Sequence, residues 1–185
     1  KPHVIASLGI SRTFQTTLVF NNMTVLENVM VGRHTRSKSG MLSAAWRSPK
    51  SRREENGIAE RAKEKLDLVG VPESRFDDLP GSLPFALHKR VEVARALATE
   101  PKVLMLDEPA AGLNIRETEE MAELIRGIRD AGVTVLLVEH DMSLVMDISD
   151  EVVVLDRGHM IAEGPPREIQ RNKKVIEVYL GDSEE

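Results

Sequence analysis

The stretch Val103–Asn114, VLMLDEPAAGLN, decides the fold of this chain. It opens with four consecutive apolar residues, continues into the adjacent carboxylates Asp107 and Glu108, and ends in a segment with proline and glycine. A short, continuous apolar run is typical of a strand that is buried on both faces of a parallel sheet. We therefore predict a buried strand over 102–108. Both carboxylates are then expected at its carboxyl end, the edge where open α/β sheets bind ligands.

The residues after this stretch predict an alternation of helices and strands. Asn114 and Glu117 have the spacing of a capping box, which predicts that a helix begins there. The run VTVLLVEHD predicts a second buried strand with His140 near its end, followed by a short helix. Two strands around a turn at 157–158 and a short amphipathic helix complete the chain. This alternation predicts the α/β fold class.

The first half of the chain predicts helices and no strand over 24–100. A capping box of Thr24 and Glu27 begins one helix, and another helix is predicted over 54–70. The polar segment between them contains the only tryptophan, Trp46, and is predicted to be a loop. The sequence thus predicts an α/β core with a helical insertion before its later strands.

The composition of the chain excludes several classes of protein. It has 185 residues, no cysteine and a net charge of −5. The absence of cysteine excludes a disulfide framework and a thiolate metal site and fits a reducing compartment. The acidic balance is unlike that of nucleic-acid-binding domains, which are usually basic. No segment approaches the ~18 continuous apolar residues of a membrane span, so a role at a membrane is expected to come through a partner.

The polar residues after the two predicted strands have a chemical rationale. In nucleotide hydrolysis an Asp in this position holds magnesium, usually through water, and the next Glu polarises the attacking water; Asp107 and Glu108 fit these roles. His140 is expected at the same sheet edge, where it could donate a hydrogen bond to a terminal phosphate. The alternatives are an acidic strand end in solvent and a structural or exposed histidine. Gln15, taken alone, is an ordinary polar loop residue.

The chain resembles the ATP-binding subunits of ABC transporters in the order and spacing of five motifs. They are RTFQ, SLPFALHKRVEVARALA, VLMLDEP, AAGLN and VEHD. Within that family it is most similar to the ATPase subunits of branched-chain amino acid importers, with the ATPase of the lipopolysaccharide exporter as the nearest alternative. The resemblance implies an ABC-type P-loop ATPase core, lacking its first strands and Walker A loop, with an inserted helical subdomain. It divides the chain into the end of a core segment with the Q-loop (1–23), the helical subdomain with the insertion and signature helix (24–100), a RecA-like core (101–165) and a C-terminal helical tail (166–185).

The same resemblance implies roles for single residues. Gln15 is the Q-loop glutamine at the magnesium ion, and Asp107 is the Walker B aspartate that binds magnesium. Glu108 is the catalytic base, and His140 is the switch histidine. The D-loop, which meets a second subunit, consists of Ala111, Gly112, Leu113 and Asn114. The signature motif, which contacts the ATP held by the opposite subunit, consists of Leu83, Pro84, Phe85, Ala86 and Leu87.

Ligands and partners follow from the resemblance as well. The ligands are ATP and Mg²⁺. The partners are a second ABC ATPase subunit, in a homodimer or heterodimer, transmembrane permease subunits and, indirectly, a substrate-binding protein, with no nucleic acid. The expected location is the cytoplasmic face of the inner or plasma membrane, held there through the permease. Two other classes stay open: a non-catalytic, degenerate ABC module, and an ABC-type ATPase of DNA repair, against which the acidic balance argues.

Two departures from the family pattern concern the phosphates. None of the 12 glycines is followed by lysine, so the Walker A motif Gly-x-x-x-x-Gly-Lys-Ser/Thr is absent. Because that motif precedes the Q-loop in the family, we expect an N-terminally truncated chain. In the signature, Ala86 stands where these importers usually keep a glycine and adds a methyl group where backbone approaches a phosphate. Pro84 offers no hydroxyl group there.

We predict that the 185-residue chain by itself has little or no affinity for ATP, because it has no Walker A loop to wrap the phosphates. Isothermal titration calorimetry with ATP, in the presence and absence of Mg²⁺, measures this affinity. Micromolar, magnesium-dependent binding would contradict the prediction.

Overall fold

The computed structural model describes residues 1–13, 19–33 and 49–180, whose strands form two sheets with helices packed against them. The strands are β1 (Ile10–Arg12), β2 (Val103–Asp107), β3 (Thr134–Val138), β4 (Val152–Asp156) and β5 (His159–Gly164). The helices are α1 (Pro2–Ser7), α2 (Val25–Gly32), α3 (Pro49–Leu68), α4 (Phe85–Leu97), α5 (Ile115–Asp130), α6 (Met142–Ile148), α7 (Pro166–Ile169) and α8 (Lys173–Leu180). Gln15 and Trp46 lie outside the described residues.

The first three strands form a parallel sheet in the order β1-β2-β3, which confirms the α/β class predicted from the sequence. Met105 is aligned with Arg12 on one side and with Leu136 on the other. Aligned residues in neighbouring strands share a face of the sheet, and successive residues alternate between faces. The strand β1 was not predicted, and three residues are too short a run to show a periodic pattern.

The predicted burial of β2 and β3 on both faces is wrong. Within β2, Leu104 and Leu106 are buried, whereas the residues that alternate with them are half-buried. In β3, Leu136 is 50% and Val138 is 55% exposed. The described helices therefore do not surround the three-stranded sheet on both faces but cover mainly the face that carries Leu104 and Leu106. A continuous apolar run indicates a strand, but only the packing of helices decides which face is covered.

Two capping boxes predicted from the sequence are present. Thr24 Oγ1 accepts a hydrogen bond from the Glu27 N–H at 3.2 Å, and the Glu27 carboxylate accepts one from the Thr24 N–H at 2.8 Å. Asn114 and Glu117 make the same reciprocal pair, at 3.0 and 2.9 Å. Each box satisfies N–H groups that have no partner within the helix. The second box fixes the point at which the chain after β2 turns into α5.

The start of α3 differs from the prediction. The helix begins at Pro49 rather than at Glu54, so part of the segment predicted as a loop is helical. Its first turns are rich in charged residues, which favour a helix without giving it an apolar face. The helix ends as predicted, before Gly70, whose φ of +72° suits a residue without a Cβ. The described residues within 24–100 contain helices and turns but no strand, as predicted.

The C-terminal region confirms the predicted hairpin and the predicted last helix. The antiparallel strands β4 and β5 are joined at Arg157 and Gly158, whose φ values of +47° and +82° suit a type I′ turn. The short helix α7 between β5 and α8 was not predicted. Among the described helices, none has both the length and the apolar character that crossing a membrane requires.

Two hydrophobic clusters hold these elements together. The larger cluster joins α2, α3 and α4 to the buried face of β2 and to α5. The smaller cluster contains Val152, Val154, Ile169 and Val175, from β4, α7 and α8. The helix α6 belongs to both clusters, because its residues pack against each of them. The described part of the helical region therefore shares one core with the strand that carries the acidic pair.

Leu106→Ala is expected to lower the free energy of unfolding by about 2–5 kcal/mol, because Leu106 is 1% exposed and its loss leaves a cavity. Leu136→Ala is the matched control on the opposite face of the same sheet, where about 1 kcal/mol or less is expected. Urea unfolding followed by circular dichroism measures both variants. Equal losses would mean that the two faces are equally buried in solution.

Candidate functional site

The carboxyl ends of β2 and β3 bring together the two acidic residues and the histidine singled out in the sequence. Asp107 is the last residue of β2, Glu108 follows it, and His140 comes shortly after β3 ends at Val138. His140 Nδ1 lies 3.6 Å from Glu108 Oε1. Parallel strands end at the same edge of a sheet, and this proximity is the result.

Asp107 is held in place by the last residue of β1, Arg12, and by Thr13, which follows that strand. The Asp107 N–H donates a hydrogen bond to Thr13 Oγ1 at 3.3 Å, and one carboxylate oxygen accepts a bond from Arg12 Nη2 at 2.8 Å. Among the described residues no cluster of three or more metal-ligating side chains occurs. A single carboxylate nevertheless fits Mg²⁺, which commonly binds one or two carboxylates and takes its other ligands from water and phosphate.

The backbone of Glu108 adopts an unusual conformation. Its φ of +46° lies in the left-handed region, which residues with a side chain rarely adopt. Its N–H donates to the Val138 carbonyl at 2.9 Å, and its own carbonyl accepts from the Ala111 N–H at 3.2 Å. The same carbonyl accepts from Lys89 Nζ, also at 3.2 Å. These bonds hold a conformation that costs on the order of 1–3 kcal/mol and that sets the direction of the Glu108 side chain.

Lys89 is a site residue that sequence analysis missed. It lies in α4, is only 4% exposed, and has its ammonium group 5.8 Å from the centroid of the Phe85 ring. Through its bond to the Glu108 carbonyl, the helix that begins in the predicted signature contacts the backbone of the predicted catalytic residue. Its neighbours His88 and Arg90 are also polar, so no sequence pattern marks Lys89 as buried.

The predicted signature residues form the start of a helix. Helix α4 begins at Phe85 with Pro84 as its N-cap, so Phe85, Ala86 and Leu87 lie in the first turn. Leu83 is buried before it, whereas Pro84 and Phe85 are exposed. The first N–H groups of a helix lack an acceptor one turn earlier and can bind a phosphate, but the Leu87 N–H already donates to the Pro84 carbonyl at 3.0 Å.

The predicted D-loop contacts the predicted signature. Gly112 has a φ of +81°, and a methyl group added to it would lie 2.9 Å from Cε1 of the Phe85 ring. Leu113 packs against the main core, and the Asn114 side chain is used to cap α5. The turn therefore lies close against the Phe85 ring at Gly112, where there is no room for a side chain.

Gln15 belongs to the segment 14–18, which lies outside the described residues, but Thr13 before this segment and Phe20 after it have defined hydrogen bonds. Before it, the Thr13 N–H donates to the Met105 carbonyl at 2.9 Å. After it, the buried Asn28 side chain binds both the N–H and the carbonyl of Phe20, at 2.7 and 3.1 Å. The segment that contains Gln15 thus begins next to β2 and ends against α2.

A cavity of about 550 Å³ opens between β1, α2 and α4, beside both flanks of that segment. Phe20 lines it from one side, and Glu92 and Arg95 of α4 line it from another. The Arg95 guanidinium lies 5.6 Å from the centroid of the Phe20 ring. Burial lowers the pKa of Arg95 from its ordinary value, and the nearby Glu92 carboxylate partly opposes this change. The cavity therefore presents both a ring and a charged pair.

Glu139 is a second site residue that sequence analysis did not single out for a role. Its side chain is 1% exposed, and its carboxylate accepts hydrogen bonds from the backbone N–H groups of Ala110 and His140, both at 3.0 Å. A glutamate directly after an apolar strand predicts an exposed residue, so only the folded chain reveals its burial.

Comparison with protein families gives two matches. Residues 3–111 match the model of the ABC transporter family. Residues 159–185 match the model of the branched-chain amino acid ATP-binding cassette transporter.

Individual relatives agree with these matches. The chain is 43% identical over 180 residues to the high-affinity branched-chain amino acid transport ATP-binding protein LivG of Salmonella typhimurium, covering 97% of this chain and 70% of the relative. It is 42% identical to the corresponding protein BraF of Pseudomonas aeruginosa, covering 98% and 71%. A solved structure of the ADP conformation of MJ1267, an ATP-binding cassette of an ABC transporter, has a TM-score of 0.80 and 31% identity, covering 98% of this chain and 72% of that one.

Gly112→Ala is expected to lower the free energy of unfolding by about 1–2 kcal/mol, because alanine is strained at the φ of +81° and its methyl group meets the Phe85 ring. Gly127→Ala is the control: Gly127 lies within α5 with no atom near the added methyl group. That change is expected to raise the stability by up to about 1 kcal/mol. Thermal unfolding distinguishes the two signs, and a stabilising Gly112→Ala would contradict the observed turn.

Proposed function

The chain belongs to the ABC transporter family of ATP-binding subunits, and we propose that it hydrolyses ATP to power the import of branched-chain amino acids. Its relatives in Salmonella typhimurium and Pseudomonas aeruginosa are named for high-affinity transport of these substrates. The match of residues 159–185 to the branched-chain transporter model supports this subgroup over the lipopolysaccharide exporter. The observation that carries the catalytic part is the 3.6 Å approach of His140 to Glu108, beside Asp107 at the end of β2.

Asp107 is assigned to magnesium. Its carboxylate is partly exposed at the sheet edge and is held there by Arg12, while Thr13 holds the backbone N–H of the same residue. Mg²⁺, when bound with ATP, neutralises charge on the phosphates and orients them. Gln15 is assigned to the same ion, and the fixed position of Thr13 next to Asp107 supports this assignment.

Glu108 and His140 are assigned to the hydrolysis step. The Glu108 carboxylate accepts a proton from the attacking water and orients it toward the terminal phosphate. His140 donates a hydrogen bond to the oxygen on which negative charge develops. Its side chain is largely exposed at the sheet edge, with Nδ1 3.6 Å from the Glu108 carboxylate.

The surface that contacts a second subunit is assigned to the turn after β2 and to the start of α4. We assign Ala111–Asn114 to the contact with a second ABC ATPase subunit, and Leu83–Leu87 to the ATP that this subunit holds. The contact of Phe85 with Gly112 supports a joint surface, because both residues are exposed. The N–H groups of Phe85 and Ala86, at the start of α4, supply donors for a phosphate even though Ala86 replaces the usual glycine.

The permease is assigned to the helical region. The proposed division of the chain is 1–23 with the Q-loop, 24–100 as helical subdomain, 101–165 as core and 166–185 as tail. The cavity beside the flanks of Gln15 is lined by residues of the first two of these parts and offers Phe20, Glu92 and Arg95 to a membrane subunit. Contact there places the subunit at the cytoplasmic face of the membrane and leaves the choice of substrate to the permease and its binding protein.

A second candidate function is a non-catalytic ABC module. It is favoured by Pro84 and Ala86 in the predicted signature. Such a module would bind a partner ATPase without hydrolysing ATP.

Glu108→Gln, in the subunit expressed from its entire coding sequence, is expected to lower kcat for ATP by about 10²–10⁴-fold, because glutamine cannot accept the proton of the attacking water. Glu119→Gln, an exposed position on α5, is the matched control and is expected to leave kcat unchanged. Phosphate release measures both variants.

The transport assignment has its own readout. Uptake of radiolabelled leucine in cells is expected to fall with Glu108→Gln and to stay unchanged with Glu119→Gln. Equal hydrolysis by wild type and Glu108→Gln contradicts the catalytic assignment. Normal leucine uptake with an inactive Glu108→Gln subunit contradicts the substrate.

A further inference from the structure

The carboxylate of Glu139 connects the segments that follow two different strands. One oxygen accepts a hydrogen bond from the Ala110 N–H at 3.0 Å, in the turn after β2. The other oxygen accepts from the His140 N–H at 3.0 Å and from the Asp141 N–H at 3.4 Å, after β3. A carboxylate that accepts several backbone N–H groups makes charge-assisted bonds, which are stronger than neutral ones.

The burial of Glu139 makes the loss of any of these hydrogen bonds costly. The side chain is 1% exposed, so water cannot replace an N–H donor that is lost. His140 Nδ1 lies 3.7 Å from one Glu139 oxygen and 3.6 Å from a Glu108 oxygen, so the ring stands between the two carboxylates. Asp141 directs its own carboxylate to the first N–H groups of α6. Each group around Glu139 is thereby held in a defined place.

We propose that Glu139 is a positioning residue for ATP hydrolysis, which couples the D-loop to His140. The inference rests on the proposed function, because it concerns the site assigned there. Ala110 directly precedes the turn 111–114 assigned to the second subunit, and it follows Glu108 by one proline. A displacement of that turn moves Ala110. Because the Glu139 carboxylate is bonded to both Ala110 and His140, it transmits the displacement to the backbone of His140.

The places where the hydrogen bonds of the two Glu139 oxygens end distinguish this role from simple stabilisation. Ala110 belongs to the larger hydrophobic cluster, but both sets of bonds end on backbone N–H groups of segments that carry proposed site residues. The backbone of Glu108 has bonds that do not involve the Glu139 side chain, to Val138, Lys89 and Ala111. Loss of the Glu139 link is therefore expected to leave Glu108 in place and to release His140 from the D-loop.

The test is Glu139→Gln in the subunit expressed from its entire coding sequence. Glutamine has the same shape but only one acceptor oxygen, so its amide group faces an N–H in one of the two sets of bonds. We expect kcat for ATP to fall about 10- to 100-fold, the effect of slight misplacement of a reacting group, with KM changed less than about twofold. Glu163→Gln, exposed on β5, is the matched control.

A double-variant comparison separates positioning from a general structural effect. If Glu139 acts through His140, then Glu139→Gln combined with His140→Ala is no slower than His140→Ala alone. Losses that multiply, or a kcat of Glu139→Gln equal to that of wild type, overturn the proposal. In either case a Glu108→Gln variant that is inactive leaves the proposed function standing, whereas a fully active one overturns that function first.

Hydrogen exchange provides a second measurement that does not depend on the variant folding. In the wild-type subunit the amides of Ala110 and His140, although both lie outside regular secondary structure, are expected to exchange slowly because each donates to a buried carboxylate. Fast exchange at both amides overturns the proposal. Slow exchange at both supports it, whatever the stability of Glu139→Gln.

Discussion

The parallel pairing of β2 with β3 is the constraint on which the rest of the site depends. Their register aligns Asp107 with Val138, so the chain leaves both strands at the same level of the sheet. The bond from the Glu108 N–H to the Val138 carbonyl extends this pairing one residue beyond β2. Because of it, two segments far apart in sequence place an acidic pair and a histidine within one hydrogen-bonding network.

The helices contribute to the site through buried polar contacts as well as apolar packing. Lys89 reaches from α4 to the Glu108 carbonyl, and Arg33, at the end of α2, donates to the Ala98 carbonyl just after α4. These contacts link the helical region to the residue directly after β2 and to the segment shortly before it. A movement of α4 relative to the sheet therefore displaces the backbone of Glu108, which already has a strained conformation.

Local chemistry explains why much of the fold was predictable. The capping residues Thr24 and Asn114 act on N–H groups three residues away, and Gly158 meets the conformational demand of a two-residue turn. Such rules need no knowledge of distant residues. The predicted start of α3 was wrong, because the first turns of this helix carry charge rather than an apolar stripe. The strand β1 was missed, because a strand of three residues has no measurable period.

The sequence by itself determined the α/β class, the family, and the residue types at the ends of two strands, because each of these follows from local patterns or ordered motifs. Only the tertiary structure decided which face of the sheet is covered, as Leu104 and Leu136 illustrate on opposite faces. It alone also revealed the burial of Lys89 and Glu139, two charged residues that a linear reading assigns to the surface. The physical reason is that burial and hydrogen-bond partners depend on groups brought together by packing, which no local pattern encodes.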